Sequence, residues 1–169
     1  YNYVCQSLNW LTPDALISSK LVKQICFNEK LFRGQEYNFY SRYLLKNPKG
    51  VFIHECLAKR RVHIDSIQQQ LQNDIHKNKR ELLYNEIVLL KDIKTEASKS
   101  LIKRSLRRMI RLSYETQRKF TISKNQIYVL KELLNFGNLN SIIHYSIWML
   151  TNLLFGKGYF WIKQLNLES

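Results

Sequence analysis

The sequence predicts an α+β chain that is predominantly helical, its few strands confined to the first part. Three observations carry this. Only 5 Gly and 2 Pro punctuate 169 residues, too few turn signals for a many-stranded sandwich or barrel. From Ile67 to about Gln117 there is neither Gly nor Pro, and Gln, Asn, Glu, Lys, Leu and Ile dominate, the composition of long helices. Before Asp65, by contrast, β-branched and aromatic residues gather in short runs that suit strands. Hydrophobic residues make up 45% of the chain, enough for a folded core. The expected organisation is a mixed α/β segment over residues 1–65 and an all-helical extension over residues 66–169.

Taken in order, Tyr3 to Trp10 partly alternate in polarity and run into Thr12-Pro13-Asp14, a strand followed by a turn. "ISSKLVKQICF" reads as a short helix, with Ser18 or Ser19 as N-cap and Leu21, Val22 and Ile25 on its inner face. Arg33-Gly34 is a turn. "QEYNFYSRYLLK" then places Phe39, Tyr40, Tyr43 and Leu44 at helical spacing and stops at Asn47-Pro48, because the residue before proline resists the α region. "GVFIHECLAKRRVH" reads as a strand ending in a basic segment. Two or more helices follow to about Gln117. Ser123 caps a further helix that ends at Phe136-Gly137, and Asn140 or Ser141 opens a last one ending near Gly156.

Lys and Arg number 27 against 13 Asp and Glu, a formal charge of +14. Such a surface attracts nucleic acid, acidic headgroups or phosphorylated substrates. Cys5, Cys26 and Cys56 are odd in number and lack C-x-x-C spacing, so they read as buried reduced thiols of a cytoplasmic protein. No G-x-x-x-x-G-K-[ST] or G-x-G-x-x-G is present, which excludes a nucleotide enzyme built on a glycine-rich phosphate loop within these residues. "YNYVCQSLNWLTP" has neither the basic start nor the cleavage site of a signal peptide, and the chain reads as a fragment that begins partway through a longer protein.

Within "LFRGQEYNFYSRYLL" the carboxylate of Glu36 lies in the first turn of a helix, where the positive end of the macrodipole favours it. That alone explains it structurally. Its neighbours add a second reading: Gly34 permits a sharp turn, Gln35 supplies an amide, and Tyr37, Tyr40 and Tyr43 offer flat rings with polar tips suited to a sugar face.

"FNEKLFRGQEYNFYSRYLL" resembles the acceptor-side motif of the family 2 glycosyltransferases of the GT-A fold: Phe-Asp-Glu, a spacer, Gly-(Glu or Gln)-Asp-(Tyr or Trp), then a helix with Arg-Leu. "LNWLTPDALISSKLVKQI" is similar to the strand and helix before it, and "GVFIHECLAKRRVHIDSI" to the strand ending in Tyr-Arg-x-His after it. The resemblance covers about residues 3 to 67. It implies the C-terminal part of a GT-A-type α/β catalytic domain, acting on a nucleotide-sugar donor and a saccharide or lipid-linked saccharide acceptor in bacterial surface polysaccharide synthesis. By this resemblance Glu36 is the general base of an inverting transfer. Trp10, Gln35, Tyr37, Tyr40, Arg61 and His63 contact acceptor or donor, and His63 can approach a metal. The divalent cation, Mg or Mn, that the family holds with Asp-x-Asp would have its ligands before Tyr1, together with the nucleotide-binding half, so the fragment alone is expected to be inactive. Two departures matter: Glu36 stands where the family has Asp, and Asn28 where it has the Asp of Phe-Asp-Glu.

"KSLIKRSLRRMIRLSYETQRK" sets Leu101 or Ile102, Leu106, Met109, Ile110 and Ser113 on one helical face, and Lys103, Arg104, Arg107, Arg108 and Arg111 over the rest. It reads either as a solvated helix packed by its apolar stripe or as a membrane-docking element using Arg104, Arg107, Arg108 and Arg111 at the inner face of the cytoplasmic membrane. A basic helical nucleic-acid-binding module is the alternative function, weighed lower because the aromatic residues cluster away from this stripe. A helical oligomerisation domain, with Ile67 to Leu90 forming a helix pair, is a third. "LNSIIHYSIWMLTNLLFGKGYFWI" is too short and polar to span a bilayer and reads as a buried or interfacial helix.

Overall fold

The structure, a computed structural model, describes residues 2–7, 14–46, 49–51, 53–56, 59, 74–163 and 165. Its regular structure there is entirely helical: α1 (Ser19–Val22), α2 (Gln35–Lys46), α3 (Ile75–Ile93), α4 (Lys99–Glu115), α5 (Lys124–Phe136), α6 (Leu139–Phe155) and α7 (Tyr159–Lys163). The expected α+β class, and with it a strand-bearing GT-A fragment, is therefore corrected to an all-α chain among the described residues.

The described residues of the two predicted strands, 3–7 and 50–51, 53–56 and 59, form no strand, for physical reasons visible nearby; the rest of both segments lies outside the described residues. Residues 2–7 coil into turns, with the Gln6 amide donating to the Tyr3 carbonyl at 2.8 Å and Gln6 at φ 57°. Partial alternation over so few residues reflects burial from several sides: Tyr3, Val4 and Cys5 are all buried. The Val4 carbonyl accepts from the Tyr37 hydroxyl at 2.7 Å and the Cys5 carbonyl from Arg104, bonds a ladder would otherwise supply. In the second segment Val51 and Ile53 are exposed, and no strand among the described residues pairs with them.

The bundle rests on α3 and α4. Asp74 caps α3 by accepting from the Lys77 amide, and the chain reverses through Lys94 to Ser98, whose hydroxyl accepts from Leu101 N to open α4. The two helices run antiparallel. Ile93 shares a buried cluster with Leu101, Glu86 pairs with Arg108 at 2.9 Å, and Lys79 with Glu115 at 3.6 Å, so each two-turn step back along α3 is a two-turn step forward along α4. The apolar face expected for α4 is the one buried: Leu101, Ile102, Leu106, Met109, Ile110 and Ser113. Of the expected helix pair within Ile67 to Leu90, the described part is one helix from Ile75 onward, and residues 67–73 lie outside the described ones.

Ser123 starts α5 with a reciprocal capping box, accepting from Gln126 N at 3.2 Å while its own amide donates to Gln126 Oε1 at 2.6 Å. The last long helix begins slightly earlier than expected, because Asn138 rather than Asn140 or Ser141 accepts from the Ser141 amide. Gly156, at φ 63°, closes it in the left-handed conformation. On α6 the residues turned inward are Ser141, Tyr145, Trp148, Met149 and Asn152. Asn152 Nδ2 donates to the carbonyls of Arg118 and Thr121, tying the loop before α5 to α6. The short α7 was not foreseen.

The N-terminal residues do not stand apart from the extension. Val4 and Cys5 join Leu89, Ile93 and Leu101 in one buried cluster, with Tyr37 packed against it. Beneath Tyr37 lies Glu86, 2% exposed. Burial raises its pKa, an effect that the charges of Arg108 and Arg104 only partly offset. A carboxyl whose folded pKa is raised contributes most below its unfolded pKa, and that contribution falls as pH rises through the folded value. Relative to Glu86→Gln, the wild type should thus lose stability from below pH 4.5 toward neutrality; urea midpoints of both proteins across that range check it.

Candidate functional site

The glycine-carboxylate motif is built on one reversal. Leu31 N donates to the Asn28 carbonyl at 3.1 Å, and Gly34 turns with φ 70° into α2, its carbonyl accepting from Asn38 N at 3.0 Å. A side chain at Gly34 would be strained by that φ, and its Cβ would sit 2.6 Å from Asn85 Nδ2 of α3. Glycine thus serves both the turn and the close approach of α3. Gln35 Nε2 donates to the Leu31 carbonyl at 2.6 Å, so this amide braces the turn.

Glu36 occupies the first turn of α2 and is half-buried. Its charge is felt by Tyr3, whose phenol is pushed above its ordinary range by burial, then by Glu36. Of the rings expected to face a sugar, Tyr40 and Tyr43 lie instead in the core. Phe39, Tyr40 and Tyr43 are buried, with Phe39 stacked on Phe27 at 4.5 Å and Tyr40 edge-on to Tyr3 at 5.8 Å. Tyr37 is half-buried and spends its hydroxyl on Val4. Trp10, Arg61 and His63 lie outside the described residues.

A feature the sequence did not disclose is Asp92 on α3. Asn38 Nδ2 donates to Asp92 Oδ2 at 2.9 Å and Asn28 Nδ2 to the same atom at 3.2 Å, fixing the loop and α2 to one carboxylate. This gives Asn28 a reason: an aspartate there would set a second anion against Asp92. Asn28→Asp should lower stability by about 1 kcal/mol at neutral pH, and adding Asp92→Asn should restore most of it, as read from urea unfolding of the three proteins. Beside this hub Gln24, Ile25, Arg42, Lys46, Asp92 and Glu96 line a shallow cleft of about 160 Å³ that does not include Glu36.

The four arginines of α4 divide. Arg104 reaches the Cys5 carbonyl and holds the N-terminal residues onto the bundle, while Arg108 pairs with Glu86 and ties α4 to α3. Arg107 and Arg111 line a second, wider cleft of about 470 Å³ with Tyr114, Tyr159, Ile162 and Lys163, where Arg111 Nε also meets Glu115 at 3.0 Å. Among the described residues no group of three or more His, Cys, Asp or Glu is placed to hold a metal ion. Nor is any described helix long and apolar enough to cross a membrane. The three cysteines are free, but Cys26 and Cys56 are exposed; only Cys5 is buried as expected.

With this geometry in place the comparisons with known proteins are limited and specific. The chain is 36% identical over 50 residues to an uncharacterized glycosyltransferase of Methanocaldococcus jannaschii. That stretch is 30% of this chain and 17% of the relative. No protein-family model matches the chain. No solved structure matches it either.

Proposed function

We propose that the chain is the acceptor-side part of an inverting, nucleotide-sugar-dependent glycosyltransferase of the family 2 type, with Glu36 as general base. The observation that carries this reading is the identity to a glycosyltransferase over 50 residues, and the turn from Gly34 into α2 that presents Glu36 supports it. The acceptor is a saccharide or a lipid-linked saccharide at the inner face of the cytoplasmic membrane. In the reaction, an acceptor hydroxyl attacks the anomeric carbon from the face opposite the nucleoside diphosphate. The new C–O bond forms, the bond to phosphate breaks with its electron pair leaving on the diphosphate, and Glu36 takes the hydroxyl proton.

The half-buried setting suits that role, since a carboxylate partly shielded from water and placed at a helix N-terminus is held in one position. The buried Tyr40 and Tyr43 support α2 from behind and do not face the acceptor. Donor-binding groups, and any divalent cation on the diphosphate, belong to residues outside those described. The nucleic-acid alternative draws no support, because Arg104 and Arg108 of the basic stripe are engaged by the fold.

The reading is tested by incubating the full-length parent with a panel of nucleotide-sugars and glycan acceptors. Release of nucleoside diphosphate that depends on the acceptor is the expected result; absence of transfer from every donor would overturn it.

A further inference from the structure

We infer that the outward face of α6, together with its C-terminal turn, docks on an anionic lipid bilayer at headgroup depth. This inference does not depend on the transfer reading. The residues that α6 turns to the core include Ser141, Tyr145 and Asn152, whereas Leu139, Ile143, Leu150 and Leu154 point the other way and are exposed. Those four positions recur at helical spacing and form a single aliphatic stripe opposite the buried face. A helix that keeps four aliphatic side chains exposed on the side opposite its buried face is built to meet a second apolar phase.

What that phase is follows from the charges around the end of the helix. Phe155 and Phe160 are 65% and 61% exposed. Phe120 is exposed too, and its ring lies beside Gly156 at the end of α6. Exposed cations adjoin them: Lys119 also packs beside Gly156, Lys157 follows it, and Lys163 ends α7. Between Glu115 and Glu168 the one acidic residue is Glu132, which is buried and paired with Lys94. Aromatic and aliphatic groups rimmed by cations, with no exposed carboxylate in the segment, match an anionic headgroup layer over acyl chains. A second copy of the chain is a poorer occupant, because a two-fold contact through this face would bring together two cation-rimmed surfaces with no exposed carboxylate in the segment to pair them. The docking surface thus moves from the α4 arginines, whose helix buries its apolar stripe, to α6 and α7.

The test is co-sedimentation of the protein with vesicles of phosphatidylcholine alone and of phosphatidylcholine with about 30% phosphatidylglycerol. Binding to the anionic vesicles only, weakened by salt, is expected. Leu150→Ser with Leu154→Ser should lower the partition coefficient by about tenfold or more, and Lys119→Gln and Lys157→Gln by about fivefold each. All four side chains are exposed, so helix content by circular dichroism should not change. Three results would overturn the inference: no vesicle binding by a folded monomer; binding lost with Arg107→Gln and Arg111→Gln but indifferent to the leucines; or a dimer that the leucine variants dissociate and that ignores vesicles.

Discussion

Replacing Glu36 by glutamine in the full-length parent should lower kcat for sugar transfer by about 10²–10⁴-fold, with donor affinity kept. Glutamine preserves the shape and the helix-start position but cannot accept the hydroxyl proton. Because the side chain is half-buried in the first turn of α2 beside Tyr3, and glutamine keeps its size and shape, the change should leave the fold intact. Glu36→Asp should retain part of the activity, since it keeps the base and shortens its reach by one methylene. Initial rates for the three proteins, set beside the dissociation constant for the donor, separate loss of the base from loss of binding.

The second large effect concerns the scaffold. Trp148→Ala should cost about 3–5 kcal/mol of unfolding free energy, because Trp148 is completely buried at the meeting point of α4, α6 and α7. Its ring packs on Tyr145 at 5.0 Å and on Tyr114 at 6.4 Å. The backbone at Gly158 passes so close that a Cβ there would lie 2.8 Å from Trp148 Cδ1. No side chain smaller than an indole fills that space. Trp148→Phe should cost clearly less than alanine, as the indole N–H has no hydrogen-bond partner among the described residues and its loss removes no bond. Urea unfolding monitored by circular dichroism checks both.

The helices that carry strong local signals were legible before the fold was known. Phe39, Tyr40 and Tyr43 repeat at helical spacing and are the buried face of α2. Leu106, Met109 and Ile110 do the same on α4, and Ser123 announces α5. The short turn of Tyr3 to Cys5 was not legible, because its partial alternation mimics a strand while its true partners, Tyr37 and Arg104, are distant in sequence. In the run Asn138-Leu-Asn-Ser several side chains can cap, and only the backbone path chooses Asn138. At the candidate site the carboxylate and its glycine could be read from local order alone. Asp92 could not, since it meets Asn38 across 54 positions with no pattern of its own. The outward leucines of α6 escaped for a related reason: periodicity finds an apolar stripe but does not say which side faces the core.

The central claim, a single displacement with Glu36 as the base, is tested most directly by the anomeric configuration of the product that the parent forms from a donor of known configuration, read by proton NMR before mutarotation or hydrolysis intervenes. Inversion is the predicted result, because one carboxylate that only removes a proton leaves the acceptor to attack opposite the diphosphate. Retention would contradict it, requiring a second displacement or a front-face path in which Glu36 has no such role.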